Sequence, residues 1–587
     1  MKIAILDSGV RKGHPAFESK AVEGFSLKVT ETGEIQKGYD FEDTIGHGTA
    51  VYYLIKCLIP IADIVNIKIY FDQAEIHQSD FEYILEFIYN NFQFDIINIS
   101  MGIVNCCSTM KMQAICDKFY QRNTIIVSAF DNEGAVSFPA ALDHVVGVDG
   151  SESLLDIKDY IIKQNSIVNI VGKSKYQKVA WTFPDYNIVK GNSFTCCYVT
   201  AIISNLLQNN GSKRLQELLF SGKSIHHTTE KLPFKIINAA AFPFNKEIHA
   251  LAGNEGLLSF NMVAYYSAAE SGQVGRRISS VLGYTANQRT IQDVSQIDWE
   301  SFDTLIIGHL NQLETLTRHD YSRKLINLAC EHHKNIYSFD TIEVSKELHK
   351  NNIYIAKAAK EQIVKSEKKL FQTNIPIICV CGTNSRQGKY SLQLYFRKRL
   401  NEIGYKVGQL GTEPSAILFG MDEMFHCGYN QQINLSIEEI YLLINQMLWN
   451  ITNNNPEIIL TGCQSGVLPY SYSNIKYFPT IHRICLEAMQ PDVVVLCINP
   501  FDDIEYVRRT VYAIEGVTRA RVIGCVCYPK DYSEDWKGNF SKTVRISKEK
   551  EEMIKNSYKK KLGLNVYMLD VPQELDDLLI SCLEYMS

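Results

Sequence analysis

Ile5-Leu6-Asp7-Ser8-Gly9-Val10, followed by His14-Pro15-Ala16-Phe17, decides how this chain reads. Residues 2–6 form a short apolar run of the kind that makes a buried strand, and Asp7 closes it. In an open α/β sheet, that carboxyl edge is where binding and catalytic groups are placed. Three later segments belong with it. Gly46-His47-Gly48-Thr49-Ala50-Val51 puts a His at the head of a helical pattern. Ser128-Ala129-Phe130-Asp131-Asn132-Glu133-Gly134 closes with Phe138-Pro139-Ala140. Gly191-Asn192-Ser193-Phe194-Thr195 opens an apolar helix running to about 207. Taken singly, Asp7 and Asn132 read as turn residues, His47 as a helix-start residue and Ser193 as an N-cap.

The surroundings repeat one pattern. Short apolar runs at 64–70, 96–100 and 124–128 are each followed by turn chemistry and a helix-period stretch, which predicts a parallel α/β sheet over residues 1–225. Residues 221–231 read as a linker. Residues 232–370 read as a Rossmann-like α/β domain with strands at 236–239, 304–307 and 336–338. The Gly272/Gly275 pair there carries no weight alone. The Lys- and Glu-rich stretch 357–369 reads as an exposed helix or linker. Residues 375–587 form a third α/β domain, with strands at 375–381, 458–460 and 493–498.

Composition narrows the function. Over 587 residues, 46% are apolar and 21% charged, an ordinary globular balance that excludes wholesale disorder. The net charge of −6 gives no electrostatic footprint for nucleic acid. Apolar runs such as 493–498 fall far short of the roughly 20 residues a membrane helix needs. The N-terminal run passes directly into Asp7-Ser8-Gly9 without a signal-peptide pattern. The 16 cysteines, among them the neighbours Cys106/Cys107 and Cys196/Cys197, follow neither a disulfide framework nor paired C-x-x-C zinc spacing. Free thiols in a reducing cytoplasm are the expectation, with no metal site.

In their order Asp, His, Asn, Ser, the four segments resemble the subtilisin-like serine peptidases (subtilases). The resemblance covers about the first 210 residues and implies a set of roles. Ser193 is the nucleophile. His47 is the base and then the acid, Asp7 orients its imidazole, and Asn132 donates to the oxyanion. Ser100, Met101 and Gly102 form the edge on which an extended peptide adds as a strand. His14 matches a structural position. Two residues depart from the family's pattern: Asn192 stands where Thr is usual, and Cys197 where Pro is usual.

The third domain begins with Cys381-Gly382-Thr383-Asn384-Ser385-Arg386-Gln387-Gly388-Lys389-Tyr390-Ser391, between a strand and a helix. That is the setting of a phosphate-binding loop. Its amides cradle oxygens, its helix N-terminus adds positive charge, and Lys389 reaches outer phosphates. The spacing resembles dethiobiotin-synthetase-like P-loop proteins, which implies phosphate contacts from Gly382, Thr383, Asn384, Ser385, Gly388, Lys389 and Ser391. Tyr390 stands where that family places a hydroxyl for Mg²⁺. The loop together with 302–308, 408–413, 460–466 and 491–497 resembles a two-domain family, Rossmann-like plus P-loop, that includes N-acetyltransferases of D-glutamate. ATP with Mg²⁺, or acetyl-CoA, is the ligand class this implies; proteolysis itself needs no cofactor.

The expectation is thus a cytoplasmic serine endopeptidase, trimming a peptide precursor in a bacterial peptide-maturation setting and fused to a nucleotide- or CoA-binding module. The rival is a transferase or ligase worked by the P-loop region, with an inactive subtilase domain as peptide-binding scaffold. Neither nucleic acid nor membrane is an expected partner, and the sequence leaves the oligomeric state open.

Overall fold

The computed structural model describes residues 1–17, 21–71, 76–106, 108–225, 232–282, 285–342, 352–356, 363–426, 435–532 and 543–587. Cys107, residues 226–231 of the expected linker and residues 357–362 of the charged stretch lie outside them. The chain divides into two compact units. One comprises Met1–His227 with Ile363–Asn374, and the other Thr228–Gln362 with Ile375–Ser587.

The first unit is built on strands β1 (Lys2–Asp7), β2 (Glu23–Val29), β3 (Ile35–Gly38), β4 (Asp63–Lys68), β5 (Ile96–Ile99), β6 (Ile125–Ala129), β7 (Val145–Ser151), β8 (Tyr160–Ile162) and β9 (Ile170–Lys173). They form one sheet in the order β3-β2-β4-β1-β5-β6-β7-β9-β8. Only the edge strands β3 and β8 pair antiparallel; the rest run parallel. In β1 both faces are buried, which is why it reads as an unbroken apolar run. Ile3 and Ile5 join a core with Ala50, Val51 and Ile55 of helix His47–Leu58 and Cys196, Val199 and Ile203 of helix Asn192–Asn210. A two-stranded ribbon, β10 (Gln177–Ala180) and β11 (Tyr186–Val189), precedes the second of these helices.

The segment 363–374 follows the second unit's first sheet in sequence yet packs as part of the first unit. The Val136 N–H donates to the Leu370 carbonyl and the Ile167 N–H to the Lys365 carbonyl. Lys369 is buried, with its Nζ 2.9 Å from an Asp149 carboxylate oxygen and over the Phe130 ring. No helix forms over the described residues of this stretch; Lys365, Glu367 and Lys368 are exposed, but Val364, Ser366 and Lys369 are buried, against the expectation of exposure. Its charge pattern suggested a solvated face, but Asp149 supplies a partner that lets Lys369 go inside.

The second unit has two parallel sheets. One runs β14-β13-β12-β15-β16-β17, from β12 (Asn238–Phe242), β13 (Asn261–Ser267), β14 (Gln292–Asp293), β15 (Thr304–Ile307), β16 (Asn335–Ser338) and β17 (Ile353–Ile355). The other runs β20-β19-β21-β18-β22-β23-β26, from β18 (Ile377–Gly382), β19 (Val407–Gly411), β20 (Glu423–Met424), β21 (Ile458–Gly466), β22 (Val493–Ile498), β23 (Arg521–Cys527) and, after a ribbon of β24 (Lys530–Tyr532) and β25 (Thr543–Arg545), β26 (Asn565–Met568). The phosphate-loop strand β18 lies inside its sheet, between β21 and β22. Among the described residues, no helix is long and apolar enough to cross a membrane. All described cysteines are free thiols.

Candidate active site

Asp7 and His47 are brought together by the residues around them. Gly46 precedes the helix with a φ of 101°, a conformation that favours glycine. Gly48 packs so tightly on the loop after β1 that a Cβ there would lie 2.2 Å from the Gly9 carbonyl oxygen. The two glycines flanking His47 thus permit the helix start to close on the end of β1. The Gly48 N–H donates to Ser8 Oγ at 2.9 Å, fastening the contact. Asp43, which the sequence reading passed over, holds the turn before His47. Its carboxylate accepts from the N–H groups of Ile45, Gly46 and Thr49 and from the Thr49 hydroxyl.

His47 Nδ1 lies 2.9 and 3.0 Å from the two Asp7 carboxylate oxygens. Asp7 is almost fully buried, and the His47 side chain is 19% exposed. Burial alone would lower the His47 pKa. The Asp7 carboxylate outweighs it, by charge and by hydrogen bond, and holds the imidazole above its ordinary value. The Asp7 N-terminal neighbours are locked in the sheet, so this pair is pre-set rather than assembled from mobile loops.

Ser193 sits in the first turn of helix Asn192–Asn210. Gly191, not Ser193, is the N-cap residue, so the capping reading does not hold. Cys197 in the place of Pro does not break this helix; its thiol donates back to the Ser193 carbonyl at 3.6 Å. Phe194 packs on the His47 ring at 5.3 Å between centroids. Among the described residues no hydrogen bond joins the Ser193 hydroxyl to His47; catalytic contacts of this kind often tighten only with substrate. Asn132 is tied to the nucleophile's loop, its Oδ1 accepting from the Asn192 N–H at 2.7 Å. That leaves the Asn132 Nδ2 without a partner among the described residues. Asn192, the other departure, has a clear use. Its buried amide donates to the Phe130 and Asp131 carbonyls and to Asp149, clamping the ends of β6 and β7 beside the nucleophile.

Ser100 is buried and bonds Asn98. Gly102 lies against Ser137, and Ile103 exchanges two backbone hydrogen bonds with Phe138. His14 Nε2 meets the Asp185 carbonyl at 2.6 Å.

In the second unit, Gly382 ends β18 and Lys389 starts helix Lys389–Glu402. The loop between holds a side chain the sequence reading did not weigh. Gln387 is fully buried; its Oε1 accepts from the Asn384 N–H at 2.9 Å, and its Nε2 donates to the Thr383 hydroxyl. Thr383 in turn bonds Asp502, and Lys389 Nζ donates to the Asn384 carbonyl. Gln387 thus occupies the Asn384 amide from within the loop. Burial lowers the Lys389 pKa. Asn384 and Ser385 are exposed; with Thr383 they border a cavity of about 510 Å³ walled also by Ser465, Gly466 and His482. Gly388 turns with a φ of 78°. Ser391 is on the exposed face of the helix and is not brought to the loop's interior among the described residues.

A buried ion pair in this unit had no sequence signal. His309 follows β15 and Asp340 follows β16, at the carboxyl edge of neighbouring parallel strands. His309 Nδ1 lies 2.6 Å from Asp340, whose other oxygen accepts from the Leu310 N–H. Burial would lower the His309 pKa, but Asp340, with Glu247 and Glu413, raises it overall. His426 stacks on His309 at 5.6 Å.

Two family models match the chain, one over each of its parts. Residues 1–240 match the subtilase family. Residues 356–566 match a second family model, described as a P-loop domain of unknown function, DUF1611_C. The fold is accordingly α/β, a subtilase region followed by a P-loop region. Solved structures similar to parts of the chain include a cold-adapted subtilisin-like serine proteinase, at 19% identity over 36% of this chain and 76% of that one, TM-score 0.30. The prenylagaramide maturation protease PagA matches at 20% identity over 36% and 78%, TM-score 0.29. A DUF1611 family protein from Anabaena variabilis matches at 14% identity over 59% and 99%, TM-score 0.41. Comparison with curated proteins gave no match.

Proposed function

We propose that the subtilase unit is a serine endopeptidase that cuts an extended segment of a peptide or precursor peptide in the cytoplasm. The observation that carries this reading is the buried Asp7–His47 pair. A carboxylate on Nδ1 fixes the tautomer that leaves Nε2 free to accept a proton. Ser193 Oγ then attacks the scissile carbonyl as His47 takes its proton. The tetrahedral oxyanion is met by the Ser193 N–H and the Asn132 amide, and His47 returns the proton to the leaving amine. The acyl-enzyme is released by water through the same base. The substrate adds along 100–102. A fluorophosphonate probe tests the reading: labelling of the wild-type chain that is lost in Ser193→Ala supports it, and no labelling of the folded wild type rejects it.

Asn132→Ala is expected to lower kcat by about 10²–10³-fold with little change in KM, because the amide acts on charge that develops only in the transition state. Steady-state kinetics on a peptide ester would show this; an equal loss confined to KM would assign Asn132 to ground-state binding.

The P-loop unit binds a phosphate ligand, ATP with Mg²⁺ or acetyl-CoA, once Gln387 gives up the Asn384 amide. Lys389→Ala should weaken that binding by about 10–100-fold, the worth of a hydrogen bond to a charged group. Calorimetry on the full chain with each ligand reads it, and unchanged affinity would place the ligand elsewhere. The His309–Asp340 pair favours a second reading, in which this unit also performs acid–base chemistry as a transferase or ligase. Activity lost in Lys389→Ala but kept in Ser193→Ala would select it.

A further inference from the structure

Strand β18 alternates its side chains between two faces. Ile378 and Val380 enter the core shared with Leu392 and Phe396 of helix Lys389–Glu402. Cys379 and Cys381 therefore share the opposite face, where their sulfurs stand 3.7 Å apart. On the neighbouring strand β21, Gly462 is in register with Val380, and Cys463 follows it. The three Sγ atoms lie within 4.8 Å of one another, and all three residues are buried. With a metal–sulfur bond of about 2.3 Å, tetrahedral thiolate ligands stand about 3.8 Å apart.

We propose that Cys379, Cys381 and Cys463 form a zinc(II) site beneath the phosphate loop. Ordinary packing of cysteines as small apolar residues accounts for burial but not for three sulfurs converging. The same sheet supplies the contrast. Cys525 and Cys527 repeat the C-x-C spacing on β23, and no third ligand group joins them among the described residues. Zinc is the usual ion of sulfur-rich structural sites, and copper(I), also favoured by soft sulfur ligands, is the rival. Each thiol gives its proton to solvent as its sulfur–metal bond forms, with no change of oxidation state. The Cys463 thiol donates to the His482 carbonyl at 3.8 Å. The metal would tie β18 to β21 one residue before Gly382, fixing the base of the phosphate loop. Spacing hid the site from sequence, since one ligand lies some eighty positions from the other two.

The test is metal content and cobalt(II) substitution on the full chain. About one zinc per chain, and intense sulfur-to-cobalt charge-transfer absorption on cobalt loading, are expected. Cys379→Ala and Cys463→Ala should each lower zinc affinity at least tenfold, while Cys525→Ala, an equally buried thiol of the same sheet, should not. If the variants fail to fold, the wild-type cobalt spectrum decides alone. A folded wild type without stoichiometric zinc and without the sulfur band overturns the site, as does equal uptake by Cys379→Ala. Preferential uptake of copper(I) overturns the ion assigned.

Discussion

Replacing Ser193 by Ala is expected to cut peptide hydrolysis by on the order of 10⁶-fold and to abolish fluorophosphonate labelling. The magnitude is large because nucleophile and base act as one unit. Without the hydroxyl, the Asp7–His47 pair has no proton to take, and what remains is the contribution of the oxyanion site and of binding. Phe194 and Cys197 pack the helix on either side of Ser193 without using its side chain. The variant should therefore keep its fold, and its thermal unfolding should match the wild type. Turnover within tenfold of the wild type would rule out Ser193 as nucleophile.

Asp7→Asn should reduce kcat by about 10⁴-fold and also move the pH profile. In the wild type, His47 must be neutral to act as base, and Asp7 holds its pKa above 6.5. The rate should therefore climb as pH rises through a value above 6.5. In Asp7→Asn the larger raising charge is gone, leaving Asp43's, while burial, which lowers the pKa, remains. The acid limb should then shift to lower pH even as its plateau falls. Stability has the opposite sign. A histidine whose pKa is raised on folding stabilises the fold fully below its unfolded value and loses that contribution as pH rises through the folded one. Profiles of kcat/KM against pH for both proteins check this; an unmoved limb would show that Asp7 does not set the His47 proton affinity.

Where a residue's neighbours in sequence are also its neighbours in space, the site was legible. Asp7-Ser8-Gly9 and Gly46-His47-Gly48-Thr49 carry in their own letters the close approach that joins them. Ser193 and Asn132 announced themselves through glycine turns at strand and helix ends. The parallel sheets were legible from apolar runs buried on both faces. Asp43 was missed because an acidic residue before a glycine looks like any turn. Gln387 was missed because its importance lies in folding back into its own loop. His309 and Asp340 lie 31 residues apart and meet only because β15 and β16 pair in parallel. Lys369 looked solvated because the partner that draws it inside, Asp149, is far away in sequence. For His309 and Lys369 the reason is a partner distant in the chain, and for Asp43 and Gln387 it is a local fold of the backbone that the residue type alone does not report.

The return of residues 363–374 to the first unit also has a consequence in time. The ribosome finishes His227 with the first unit's sheet essentially complete, but the acceptors for the Val136 and Ile167 N–H groups and the cation beside Asp149 are still unmade. Roughly 150 further residues must be translated first. At about 5–20 residues per second, that is on the order of 7–30 seconds. Asp149 also anchors Asn192, next to the nucleophile. The first unit of a nascent chain is therefore unfinished until the second unit's first sheet has been synthesised, a delay written into the order of the gene.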